Sequence, residues 1–201
     1  RLTLSCDMEI DNKGNVVKYD IYESIIRTSE RMTYKNVNKI LEDEDEELKA
    51  RYKEFIDTFK NMEQLMNILR KKRRIRGSID FDFEESKIIL DDKGKPVDIR
   101  PYERGVSERI IEEFMIVCNE TIAEHMYWKE MPFVYRVHED PDPEKIMVLN
   151  VLIHNFGYSI KGADEIHPKA LQQVLDKVAG KKEERLINTL LLRSLRKARY
   201  D

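Results

Sequence analysis

The stretch SERIIEEFMIVCNETIAEHM, residues 107–126, carries most of the fold assignment. Apolar residues recur in it at spacings of three and four, among them Ile110, Phe114, Cys118 and Ile122. This spacing places them on one face of a helix and predicts a long amphipathic element that begins after Ser107. Strand patterns lie before this helix and mainly helical patterns follow it.

Two stretches before the central helix have the pattern of β-hairpins. From Leu2 to Ile10 every second residue is apolar, and the turn sequence that starts at Asp11 follows. The strand patterns 88–90 and 97–99 likewise flank an Asp-Asp-Lys-Gly turn. Both stretches predict antiparallel hairpins. The two turns, DNKGNVV and DDKGKPV, resemble each other, but turns of one type recur by chance and indicate no duplication.

Helical patterns occupy the region between the two hairpins. Thr33 is a suitable N-cap for a short helix over Tyr34–Leu41. Six consecutive acidic residues, 42–47, precede an amphipathic pattern over 48–69, and a basic run follows at 70–76. The apolar spacing predicts one continuous amphipathic helix over 48–69. The acidic residues at its start and the basic residues at its end complement the helix dipole.

Beyond the central helix the sequence predicts one short strand and three helices. Pro132 introduces an expected strand over 133–137, and Asp142 caps a helix that extends to about Phe156. A second helix begins at His167-Pro168, and a last one spans about 183–199. The expected fold is α+β, with β-hairpins and short strands packed against several α-helices, in one domain or part of one.

Composition excludes several classes of protein. The 201 residues include 36 Lys and Arg and 39 Asp and Glu, which gives a net charge of −3. No apolar run reaches the ~18 residues of a membrane span, which excludes an integral membrane protein. Two cysteines, Cys6 and Cys118, are too few for a disulfide scaffold, so we expect reduced thiols and a cytoplasmic protein, with a single disulfide as the open alternative. Because the sequence opens at Arg1 without Met or a signal pattern, we expect a longer parent protein.

Acidic clusters are the first candidates for metal chemistry. Asp80, Asp82 and Glu84 alternate along a predicted strand, and such a row of carboxylates can hold Mg²⁺. The solvent face of a strand explains the same alternation without an ion, and we favour that interpretation. The second cluster, 138–140, lies at a strand exit before a helix cap, where loop chemistry explains it. Neither H-E-x-x-H nor C-x-x-C spacing occurs, which argues against zinc.

Basic clusters and aromatic residues are candidates for binding nucleic acid. Six of the seven residues in 70–76 are cationic, and 193–199 adds four more cations. Such clusters can neutralise phosphates, although a dipole-matched helix end or a solvated helix face is the favoured interpretation from composition alone. The aromatic rings of Tyr34 and Phe133 lie near polar turns and can stack on bases, or they can belong to the core.

A set of motifs in fixed order is more specific than any single cluster. After the opening RLTLS come RMTY at 31–34, RGSIDFD at 76–82, ERG with ERIIEEFM at 103–115, and CNETIAEH at 118–125. Together they resemble the central part of the RNB catalytic domain of ribonuclease R-type enzymes, in the ribonuclease II superfamily. The resemblance extends over essentially the whole chain and is strongest from Arg1 to His138.

The resemblance implies a processive 3′-to-5′ exoribonuclease that hydrolyses single-stranded RNA with Mg²⁺. In that family the metal is held by an aspartate cluster upstream of the strand that begins at Arg1, and an arginine-rich motif follows soon after Asp201. We therefore expect no catalytic residue and no metal ligand in this chain. We also expect RNA and not DNA as the partner, no membrane association, and flanking OB-type RNA-binding domains in the parent protein.

The family's stacking aromatics match two positions of this sequence. The resemblance places the ring of Tyr34 against bases near the RNA 3′ end, and that of Phe133 at the other end of a deep channel. Two alternatives stay open at this point. One is a non-catalytic RNA-binding module that uses the basic cluster and the aromatics. The other is a protein-interaction domain that docks a partner on the amphipathic helix 48–69.

Overall fold

A computed structural model describes residues 1–79, 85–102, 104–160 and 167–201 of the chain. Over these residues the fold is α+β, as the sequence predicts. The strands are β1 Leu2–Ile10, β2 Val16–Ile25, β3 Glu85–Leu90, β4 Pro96–Tyr102, β5 Arg136–Val137 and β6 Arg199–Tyr200. The helices are α1 Tyr34–Leu41, α2 Glu46–Arg51, α3 Ile56–Arg76, α4 Val106–Trp128, α5 Pro143–His154, α6 Pro168–Val178 and α7 Glu184–Ser194.

The chain divides into two compact units. The first contains the described residues within 1–72 and 83–129, and the second contains those within 73–82 and 130–201. The boundary crosses α3 between Lys72 and Arg73, so the last turn of that helix belongs to the second unit. Each unit is described by itself below.

Both predicted hairpins are present in the first unit. β1 pairs with β2, and β3 pairs with β4, each in antiparallel register. The Asp11 carboxylate accepts backbone N–H bonds from residues two and four positions on, both 2.8 Å long. Asp91 accepts the corresponding bonds at 2.9 and 2.8 Å. Gly14 and Gly94 both take positive φ values, 82° and 77°, which glycine adopts without strain. The similar turn sequences therefore build the same turn twice.

The alternation in β1 does not translate into a uniformly buried apolar face. The strand contacts α4 at Cys6, which neighbours Cys118, and at Met8, whose sulfur lies 3.4 Å from the Thr121 hydroxyl. Leu2 and Leu4 share the face of Met8 but are exposed. On the opposite face Thr3 is half-buried and its hydroxyl lies 2.7 Å from that of Ser24. The two-residue repeat of a strand determines the face on which each side chain lies. Whether that face is buried depends on which other elements pack against it.

The predicted continuous helix over 48–69 is wrong in one respect, because the structure interrupts it. Asp45 caps α2 by accepting the Leu48 N–H at 3.1 Å, α2 ends at Arg51, and a 3-10 turn precedes α3. A 3-10 turn has three residues per turn, so the apolar spacing continues across the break. The core of the first unit forms here from Val37, Ile40, Tyr52 and Phe59.

The second unit is built around α5, α6 and α7. Asp142 caps α5 with Pro143 in its first turn, and His167 caps α6 by accepting the Lys169 N–H at 3.2 Å. Both starts agree with the sequence prediction. The buried core of this unit consists of Ile146, Leu149, Ile153, Tyr158, Ile160, Leu171, Val174, Val178, Ile187 and Leu191.

The last helix and the strand after Pro132 are both shorter than the sequence predicts. The last helix ends at Ser194 instead of 199, because Leu195 takes an extended backbone with ψ near 150°. The strand expected over 133–137 is confined to Arg136–Val137, which pairs with Arg199–Tyr200. A strand exists only where a partner supplies hydrogen bonds, and this partner has two residues. The predicted strand from Ile79 onwards falls largely on 80–84, outside the described residues.

Two further observations bear on the class of protein. Among the described helices none combines the length and apolarity that crossing a bilayer requires. Cys6 and Cys118 are both unpaired and half-buried. Burial raises the pKa of the Cys6 thiol above its ordinary value, and the neighbouring Cys118 raises it further.

Candidate nucleic-acid interface

Tyr34 is the first residue of α1, as the sequence predicts. The Thr33 hydroxyl oxygen accepts the Asn36 N–H at 3.3 Å, which caps the helix just before the tyrosine. Val37 and Ile40 provide the buried residues of α1, whereas Tyr34 is 48% exposed. The ring therefore lies at the end of the helix, open to a ligand, and is not part of the core.

The helix that carries Tyr34 is pinned to the start of α4. The Ser107 hydroxyl lies 3.1 Å from the Tyr34 carbonyl oxygen, and the Asn38 side-chain oxygen accepts the Ser107 N–H at 2.8 Å. Glu42 accepts the Val106 N–H at 2.7 Å. Residues 34, 38 and 42 follow one another at intervals of four, on one face of α1. Asn38 and Glu42 accept from the first N–H groups of α4, which have no partner within their own helix, and the Tyr34 carbonyl accepts from the Ser107 hydroxyl.

Glu108 joins these contacts into a network. Its carboxylate accepts bonds from the Asn38 amide at 2.9 Å and from the Gly105 N–H and the Tyr102 hydroxyl at 3.1 Å each. The Ser107 hydroxyl is also within 3.1 Å. Partial burial alone would raise the pKa of Glu108, but the bonds from Asn38, a backbone N–H, Tyr102 and Ser107 together lower it below its ordinary value. The carboxylate is therefore ionised at neutral pH.

Glycine at position 105 leaves room for this network. A Cβ atom there would collide with the Asn38 side-chain amide. The Gly105 φ of −83° is open to any residue, so the requirement concerns space and not backbone conformation. We call Asn38, Glu42, Gly105, Ser107 and Glu108 the α1–α4 clamp. Sequence patterns do not reveal this clamp, although a Glu three residues after an N-cap is a known helix-start signal.

Phe133, the second predicted stacking residue, belongs to the second unit. Its side chain is 41% exposed, and its ring meets the Tyr135 ring edge to face at 5.3 Å between centroids. Tyr135 is held in place because its backbone exchanges two 2.9 Å hydrogen bonds with Asp201. Phe133 therefore has an accessible ring beside an anchored neighbour. Tyr34 lies in the other unit.

Several cations of the basic cluster 70–76 have structural partners. Lys72 donates to the Gly14 carbonyl at 3.0 Å, and Arg73 donates to the Ser78 hydroxyl at 3.2 Å. Arg74 forms a 2.8 Å ion pair with Asp176. The Lys72 contact stabilises the β1–β2 turn, and the contacts of Arg73 and Arg74 stabilise the first residues of the second unit. They support a structural interpretation of the cluster over a phosphate-binding one.

The amphipathic stripe of 48–69 is likewise engaged within the protein. Tyr52, Phe59, Met66 and Leu69 are buried, and Phe55 packs against the same core as Phe59. A partner helix would need these side chains to be exposed. The structure therefore does not favour the interpretation of this stripe as a docking surface.

The second acidic cluster, at 138–140, is engaged by arginine side chains. One Glu139 oxygen accepts from Arg196 at 2.7 Å and the other from Arg199 at 3.0 Å. The bond from Arg196 and the charge of Arg199 lower the pKa of Glu139, so this carboxylate is committed to arginine. Within the described ranges no three His, Cys, Asp or Glu side chains come together as a metal site. The other candidates, Asp80, Asp82 and Glu84, lie outside those ranges.

Comparison with known proteins places this geometry in a family. Ribonuclease R of Thermotoga maritima is 45% identical over the whole chain, and ribonuclease R 1 of Lactococcus lactis is 43% identical. The chain spans 28% and 24% of the lengths of these two relatives. The apo form of Mycoplasma genitalium RNase R superposes with a TM-score of 0.89 at 26% identity, covering all of this chain and 31% of that one. Another structure of that enzyme, equally similar, is a complex with ribose-methylated single-stranded RNA. Since the family model described as RNB domain also matches residues 1–201, the chain belongs to the RNB domain family.

Proposed function

We propose that this chain is part of the catalytic domain of a 3′-to-5′ exoribonuclease that degrades single-stranded RNA processively in the cytoplasm. Its role there is to form the wall of the RNA channel and to hold bases by stacking. The observation that carries the proposal is the family match over all 201 residues. The similarity of the whole chain to a relative in complex with single-stranded RNA supports it.

Tyr34 and Phe133 are the residues to which we assign base stacking, with Tyr34 nearest the RNA 3′ end. Both rings are exposed enough to be covered by a base. The Tyr34 carbonyl is held by the Ser107 hydroxyl, and the Phe133 ring lies against that of Tyr135. Stacking contributes about 1–3 kcal/mol per base and accepts every base. This property suits an enzyme that removes nucleotides without regard to sequence.

Magnesium is the metal that the proposal requires in the full-length protein. No cluster of three possible ligands occurs among the described residues, and in this proposal the aspartates that hold the metal lie upstream of Arg1, as the family resemblance implies. When bound, Mg²⁺ would stabilise charge on the phosphate and activate water. OB-type domains elsewhere in the full-length protein would guide RNA to the channel. The contribution of this chain is binding and orientation.

The proposal is tested in the full-length protein with 5′-labelled single-stranded RNA. Tyr34→Ala should change the length of the final undegraded product, with a smaller change in the rate on long RNA, because short RNA depends most on each remaining stack. Tyr34→Phe is the matched control and should resemble the unmodified protein, since it keeps the stacking face. Phe133→Ala should weaken binding of RNA long enough to reach the second ring.

Two outcomes would contradict the proposal. Absence of 3′-to-5′ degradation by the full-length protein in Mg²⁺ would exclude the exoribonuclease. An unchanged final product in Tyr34→Ala, combined with lower thermal stability, would instead identify Tyr34 as a structural residue.

A further inference from the structure

We propose that Glu108 is a positioning residue for Tyr34, acting through the α1–α4 clamp to fix the direction in which the tyrosine ring leaves α1. The inference rests on the proposed function of Tyr34, but it concerns residues to which the family resemblance assigns no role. Glu108 itself does not contact RNA in this proposal. It acts on the helix that presents the ring.

The orientation of α1 is set by its contacts with the start of α4. Both turns of α1 and its C-cap meet the start of α4, through the carbonyl of Tyr34 and the side chains of Asn38 and Glu42. Tyr34 is the outermost of the three, and its side chain is half-exposed. A short helix of eight residues has little stability of its own, so its orientation depends on such contacts.

Glu108 has the central place in the clamp. One of its oxygens receives both the Asn38 amide and the Gly105 N–H, and the Ser107 hydroxyl lies beside it. Bonds to a charged acceptor are stronger than neutral ones. Removing the carboxylate would release the Asn38 amide group, whose oxygen accepts the Ser107 N–H. The docking of α1 on α4, one turn along the helix from Tyr34, would then loosen.

Glutamine can replace Glu108. Its side-chain oxygen can accept from Asn38 and Gly105, and its NH₂ can donate to the Tyr102 hydroxyl, which both donates and accepts. Alanine can do neither. The pair Glu108→Gln and Glu108→Ala therefore separates the hydrogen-bonding role from the effects of any substitution at this position.

The experiment compares these variants with Tyr34→Ala in the full-length protein. Glu108→Ala should change the final RNA product in the same direction as Tyr34→Ala, and it should speed hydrogen exchange at α1 amides by about tenfold. Glu108→Gln should restore both readouts nearly to normal. Glu112→Ala, one turn along α4 in an exposed 3.9 Å pair with Arg104, is the matched control and should change neither.

A double-mutant cycle tests the mechanism independently. Gly105→Ala should accelerate exchange in α1 because its Cβ displaces the Asn38 amide, and this effect should largely vanish in an Asn38→Ala background. Additive effects would overturn the clamp. If Tyr34→Ala alters the final product but Glu108→Ala does not, the positioning role is refuted while the proposed function stands. If Tyr34→Ala has no effect on the product, the proposed function fails, and the exchange data still decide whether the clamp exists.

Discussion

Replacing Phe59 with Ala should strongly destabilise the first unit. Phe59 is 8% exposed and packs with Val37, Ile40 and Tyr52 in one buried cluster. Truncating a packed Phe costs about 3–5 kcal/mol, because apolar contacts are lost and a cavity remains. For a protein of this size a loss of about 4 kcal/mol corresponds to a fall of about 10 °C in melting temperature.

Phe55→Ala is the matched control for this prediction. Phe55 is half-buried beside the same cluster, with its ring 6.2 Å from that of Phe59, so we expect about half the loss. Urea titration of the full-length protein, followed by circular dichroism, measures both changes as shifts in midpoint at constant slope. Equal effects of the two variants, or no effect of Phe59→Ala, would refute the assignment of this core and revive the helix as an exposed docking surface.

The remaining predictions concern other parts of the chain. Gly94→Ala should lower the free energy of unfolding by about 1–2 kcal/mol, because its positive φ strains any residue with a Cβ. Gly14→Ala should lower it further, because Lys72 atoms lie 3.3 Å from the added Cβ. The urea midpoints of the two variants measure both losses. Arg74→Ala should change the free energy of unfolding by no more than about 1 kcal/mol, because its ion pair is exposed. The pKa of Glu108 is lowered from 4.5, so the stability that its carboxylate provides is full above that pH and is lost as the pH falls through the lowered value. Between about pH 6 and about pH 3 the melting temperature should therefore fall more steeply for the unmodified protein than for Glu108→Gln. The isolated 201-residue chain supplied with Mg²⁺ should release no mononucleotides from RNA, because we place the metal ligands elsewhere.

Much of the fold could be predicted from local chemistry. The caps Thr33, Asp142 and His167 begin the helices where expected, and the two Asp–Gly turns close the expected hairpins. These features depend on residues within four positions of each other, which sequence patterns represent well. The exposed ring of Tyr34 also followed from its place just after a cap.

The features that sequence patterns missed depend on residues far apart in the chain. The clamp joins Asn38 to Glu108, and although Glu108 matches a helix-start signal, no local pattern indicates Asn38 as its partner. The helix end at Ser194 and the two-residue strand at Arg136 depend on pairing between distant segments. Periodicity also continued across the break after Arg51, because the 3-10 turn preserves the spacing of buried residues.

The sequence separation within the clamp has a consequence for the order of folding. The buried core of the second unit draws its members from Ile146 to Leu191, so its contacts close loops of at most 45 residues (191 − 146). The bond between Asn38 and Glu108 closes a loop of 70 residues, which costs more chain entropy and slows folding. We therefore expect the three-helix core to form early and the contact beneath Tyr34 to form late. During synthesis α1 would remain undocked until the ribosome has released the start of α4.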